Sequence, residues 1–156
     1  MIQFLKRLLG FSAESPSPSS PQNFLILDRE SLARFLFSDK HFARTTGRVK
    51  RHAFSPRESM RLSVFQITGL HDDEIWRLGR ETVAEPRGQS PRARADITAT
   101  VVRAQSLDVV SAPDTHPRHA HIVGWPQEKE KILAIALELA NKATLKLPST
   151  SLSSRA

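Results

Sequence analysis

The chain has no cysteine. That excludes a disulfide framework, a thiolate metal site and a thiol nucleophile, and it suits a reducing cytoplasm. Glycine is scarce, and Gly47, Gly69, Gly79, Gly88 and Gly124 stand singly, so no glycine-rich loop is available to cradle a phosphate. No Gly-x-Ser-x-Gly elbow occurs, which removes the usual serine hydrolases. The paired His-x-Ser/Thr motifs of the two-histidine phosphoesterases are missing as well. No window is long and apolar enough to span a bilayer, so no transmembrane segment is expected.

Acidic residues are missing from one stretch in particular. Between Lys40 and Arg57 the chain places Lys40, Arg44, Arg48, Lys50, Arg51 and Arg57 with no carboxylate among them. A second basic cluster, Arg87, Arg92 and Arg94, flanks Gly88 and Pro91. Together they underlie a formal charge of +7 and a pI near 10.5. Such clusters favour phosphate-bearing or acidic partners. Aromatic interleaving for base stacking is sparse, with only Phe42 and Phe54 in the first stretch.

At 156 residues and 39% hydrophobic content the chain can bury one core. Residues 1–11, MIQFLKRLLGF, are amphipathic on helical spacing and fit a weak contact with a membrane surface or a partner. Lys6 and Arg7 interrupt the apolar run, so the segment does not read as a secretory signal. Residues 12–22 are Ser/Pro-rich and read as a linker, completing an N-terminal segment over 1–22. A single domain is expected over 23–147 and a disordered tail over 148–156.

Within the domain, Asn23 to Leu27 is short, apolar and extended. Asp28 is then placed to cap a helix through Arg29 to Phe37, with Leu32, Phe35 and Leu36 on one face. Ser38 to Glu58 reads as a basic loop. Arg61 to Thr68 alternates, with Leu62, Val64 and Gln66 on one side and Ser63, Phe65 and Ile67 on the other, which predicts a central strand. Gly69 ends it, and Asp72, Asp73 and Glu74 load the first turn of a helix that runs to Pro86. Arg87 to Ala95 reads as a loop, followed by a short helix capped by Thr98. Strands are expected at Leu107–Val110 and His119–Trp125. Pro126 then starts a last helix, with Ile132, Ile135, Ala136, Leu139 and Ala140 at helical intervals. The sum is a small α+β domain with a short mixed or antiparallel sheet and about four helices, including a C-terminal one.

The segments LSVF at 62–65, RADI at 94–97, PRHA at 117–120 and GWP at 124–126 resemble a family of small bacterial proteins to which no activity, cofactor or fold attaches. The resemblance spans roughly Leu32 to Leu145. The family pattern has Arg where this chain has Gln66. It varies at the position of His121, which counts against a catalytic His121.

Pro113 to Pro126 gathers His116, His119 and His121. Asp114 and these imidazoles have the chemistry to ligate Zn²⁺ or Ni²⁺, and His119 and His121 share a strand face. Further ligands at suitable spacing are missing, so no metal and no cofactor are assigned. A second reading makes His119 a half-buried histidine bonded to backbone, after a turn fixed by Pro117. A third pairs Arg118 with His119 as phosphate grip and acid–base group, with Arg94 and Lys50 in support. His71–Asp72 lacks the helical framework of the His-Asp phosphohydrolases, and Asp72 reads as a first-turn acid.

The leading expectation is a cytoplasmic, non-enzymatic module that binds nucleic acid or an acidic protein through Lys40, Arg44, Arg48, Lys50, Arg51, Arg57, Arg92 and Arg94. One alternative is a metal-independent enzyme acting on a phosphodiester or nucleotide, with His119 and Arg118 as catalytic pair. Another is an interaction subunit of a defence or toxin–antitoxin system.

Overall fold

A computed structural model describes residues 25–149. The amphipathic segment and linker expected over 1–22, and all but the start of the tail expected over 148–156, lie outside the described residues. In chain order come β1 (Ser31–Leu36), β2 (Phe42–Ala43), β3 (Arg48–Val49), a 3-10 turn (Arg51–Phe54), β4 (Leu62–Gln66), α1 (Asp72–Gly79), β5 (Ala93–Thr98), α2 (Ala99–Ala104), β6 (Asp108–Ser111), β7 (His119–Val123), α3 (Lys129–Lys142) and β8 (Thr144–Lys146). Six strands form one antiparallel sheet in the order β6–β7–β4–β1–β5–β8, and β2 and β3 pair separately. The fold is a small α+β domain, as expected.

The sheet is covered on both faces. Leu32, Leu36, Leu62, Val64, Ala95 and Ile122 meet α2, α3 and the 3-10 turn in the larger core. Ala33, Phe35, Phe65 and Ile67 meet Ile75, Trp76 and Leu78 of α1 in the smaller one. The two-faced reading of β4 therefore holds, and Trp76 and Trp125 are both buried.

The expected helix over Arg29 to Phe37 is instead the central strand β1. Flanked by β4 and β5 and buried on both faces, SLARFL loses the polar–apolar alternation that marks a half-buried strand. Its helix-favouring Leu, Ala and Arg are overridden by six registered pairs with β5. The loop expected to run to Ala95 ends sooner, because Ala93 and Ala95 are buried on β5 beside β1. The last helix begins at Lys129, after Pro126, and the chain then adds β8 against β5.

Helical residues gather into three helices rather than about four, because the segment expected as the first helix is β1, and the helix from Asp72 continues without a break to Arg87. It widens into a π segment over Arg80–Ala84. Pro86 lacks the N–H that would bond the Thr82 carbonyl, and its ring crowds that carbonyl, which accounts for the widening. Gly79 precedes this segment where the Phe35 ring lies against the helix. A Cβ there would come within 2.5 Å of Phe35 Cε1.

Candidate anion-binding cavity

The ladder between β1 and β4 is registered only at Leu32–Gln66 and Ala33–Phe65. Beyond it the strands are bridged by a side chain. Arg34 Nε donates to the Ala53 carbonyl at 2.7 Å, and its Nη1 donates to the Ser63 carbonyl at 2.9 Å. Ala53 belongs to the 3-10 turn, which packs against α3 through the fully buried Phe54. One arginine thus ties β1, β4 and the basic loop together.

A cavity of about 340 Å³ opens at this split. Arg34, Phe35, Ser63 and Phe65 of the sheet form its base. Thr82 and Val83 of the π segment and Arg87 close one side. The loop supplies His41, His52, Ser55 and Arg57, and β7 with its preceding turn supplies His119 and Thr115. Three arginines and three histidines line the cavity, and no carboxylate does.

The electrostatics follow from that composition. The Arg34 guanidinium is pulled down to about 10, first by burial and then by the positive charges of Arg87 and Arg57. His41 is held below the usual imidazole range by burial first, then by Arg34, His52, Arg57 and Arg87. Its Nδ1 is buried without a hydrogen-bond partner. Cations collected at a partly desolvated site, with no acid to balance them, favour an anion.

His119 has a defined orientation. Its Nδ1 lies 3.1 Å from the Ala112 carbonyl and 3.2 Å from Thr115 Oγ1. Because the carbonyl can only accept, Nδ1 carries the proton in the neutral ring and Nε2 keeps its lone pair. Burial lowers the His119 pKa, the Ala112 bond opposes that, and His116 lowers it further. Its ring packs 5.2 Å from that of Phe65 and 4.7 Å from that of His121.

The residues singled out in the sequence separate into distinct places. His119 and Arg57 line the cavity. Arg118 does not: its Nη1 donates to the Gln66 carbonyl at 3.1 Å and its backbone N–H to His116 Nδ1. Lys40, Arg44, Arg48, Lys50 and Arg51 are exposed on the loop around β2 and β3. Arg92 pairs with Asp39 at 2.8 Å. Arg94 is 3% exposed on β5, paired with Asp72 at 2.7 Å and Asp96 at 3.0 Å, and stacked over the Trp76 ring. Phe42 and Phe54 are buried in the main core, where they anchor the loop and cannot stack with bases. Among the described residues no group of three or more His, Asp or Glu side chains is placed to hold a metal ion, and no helix is long and apolar enough to cross a membrane.

Arg34, His41 and His52 are cavity residues that sequence spacing did not single out, whereas Arg87 belongs to the second basic cluster. Arg34 carried a signal nonetheless, as the one charge inside SLARFL, but the helical reading of Arg29 to Phe37 gave a place only to Leu32, Phe35 and Leu36. No protein-family model matches the chain, and neither a curated protein nor a solved structure matches it.

Proposed function

We propose that the chain binds a phosphate-bearing partner, with nucleic acid the leading class, by seating a phosphate in the cavity at the β1–β4 split. The observation that carries this reading is the convergence of Arg34, Arg57, Arg87, His41, His52 and His119 on one cavity without a carboxylate. Guanidinium groups grip phosphate with paired N–H donors, and charge-assisted bonds of this kind are about twice as strong as neutral ones. The exposed Lys40, Arg44, Arg48, Lys50 and Arg51 extend the positive surface beyond the cavity and supply attraction that does not depend on sequence. Arg94 and Arg118, committed to carboxylate and carbonyl partners, have no part in this reading.

The test is a titration with a short single-stranded oligonucleotide at two salt concentrations. Affinity falls steeply as salt rises, and it falls again in an Arg57→Gln/Arg87→Gln variant. Salt-independent affinity, or none at low ionic strength, contradicts the proposal.

A second reading, acid–base chemistry on a phosphodiester, is favoured by one observation. His119 holds its Nδ1 on a carbonyl and has Nε2 free to take a proton at a cavity wall. His119 would then act without Arg118. Metal-independent cleavage that is lost in His119→Ala, with binding retained, supports it. Unchanged substrate on prolonged incubation removes it.

A further inference from the structure

We infer that the cavity selects a phosphomonoester, carried at the end of a strand or on a mononucleotide, over the diester phosphates inside a strand. The inference rests on the phosphate-binding reading above and narrows it to one kind of phosphate.

Size comes first. A cavity of about 340 Å³ lies at the lower end of small-molecule sites, which run roughly 300–1,000 Å³. It admits one phosphate with part of its sugar. A strand interior would need two chain directions to leave the same opening. The Phe35 and Phe65 rings line its sheet side, and Thr82 and Val83 of the π segment line another.

Charge and donors point the same way. A phosphomonoester carries about −1.5 to −2 near pH 7 and three terminal oxygens. An internal diester carries a single charge and two such oxygens. Arg34 uses Nε and Nη1 on carbonyls and keeps Nη2 free of any acceptor among the described residues. Arg57 and Arg87 approach from two other elements, one from the loop and one from the end of the first helix. Three guanidiniums from three directions match a group with three terminal oxygens better than one with two. Arg87 is held in place over the Phe37 ring at 4.9 Å, so its head is oriented before a ligand arrives.

The probe is one short single-stranded oligonucleotide prepared with a 5′-phosphate, with a 3′-phosphate, or with hydroxyls at both ends, together with a nucleoside monophosphate. Binding is measured at low and moderate salt. At least one end-phosphorylated strand binds about tenfold or more tightly than the hydroxyl strand, and the preference collapses towards one in Arg57→Gln/Arg87→Gln. Both residues lie outside the cores, so the variant folds, and a circular dichroism melt checks this. The monophosphate separates the two sources: if it competes at comparable concentration the ligand is a nucleotide, and if only the strand binds the exposed loop is part of the site. Equal binding of all three strands overturns the inference and leaves the phosphate-binding reading standing. No binding by any probe overturns both.

Discussion

The Arg34 guanidinium donates to the Ser63 carbonyl at 2.9 Å, across two neighbouring strands whose ladder has already ended. A side chain stands where backbone pairing would otherwise continue, and the space released beside it is the cavity. Fold and candidate site meet at this contact.

Replacing Arg34 therefore affects both. Arg34→Met leaves the Ala53 and Ser63 carbonyls without their donor, at a cost of about 1–3 kcal/mol for each group that water cannot reach. Chemical denaturation is expected to show that loss, and phosphate binding is expected to disappear. Arg34→Lys keeps a charge but cannot hold both carbonyls at once, so it recovers part of the stability and little of the affinity.

Gly79→Ala tests the packing behind the cavity. The new Cβ would sit 2.5 Å from the Phe35 ring, which also rests against Phe65 at 5.7 Å and Trp76 at 6.3 Å. Either helix or ring must move, and overpacking of this kind costs about 1–3 kcal/mol. A lowered melting temperature is expected, with weaker ligand binding because Phe35 is part of the cavity wall.

Arg94 separates a structural cation from a ligand-facing one. Arg94→Met leaves Asp96 partly buried without its ion pair and removes the tie to Asp72 on α1. Breaking one side of a buried pair costs about 3–5 kcal/mol, so urea denaturation should show a large loss. The affinity of the folded protein for phosphate should stay unchanged, which a direct titration under native conditions would establish.

The cavity histidines give a pH dependence of definite sign. His41 and His119 have folded pKa values depressed below 6.5, so the unfolded chain takes up protons first as pH falls. Stability of the ligand-free protein is present above about pH 6.5 and declines below it towards the folded values. Bound phosphate reverses the local preference by favouring imidazolium. Affinity should rise as pH drops from about 8 to 6.5, before the phosphate itself gains a proton near pH 6. Melting curves and titrations across that range, with and without a nucleoside monophosphate, check both signs.

Much of the frame was legible in the sequence. Leu62 to Ile67 showed its two apolar faces, the acids of Asp72 to Glu74 marked a helix start, and Thr98 caps α2 as expected, accepting from the Val101 N–H. The similarity segments 62–65, 94–97 and 117–120 fall on or at the edge of β4, β5 and β7 of the one sheet. What failed was β1, because a strand buried on both faces has no alternation to betray it. With β1 misread, Arg34 could not be placed beside Ser63, and a loop histidine 7 residues later, His41, had no reason to share its cavity. Arg118 and His119 serve different places: Arg118, in the turn before β7, donates to the Gln66 carbonyl, and His119 lines the cavity.

The most direct test is a ¹H–¹⁵N titration of the protein with a short end-phosphorylated oligonucleotide, followed also through the histidine ring resonances. The cavity account predicts that the largest shifts fall on Arg34, His41, Ser55 and Arg57 and on the rings of His41, His52 and His119. Shifts confined to Arg44, Arg48 and Arg51 on the outer loop, with the cavity resonances unmoved, would contradict it.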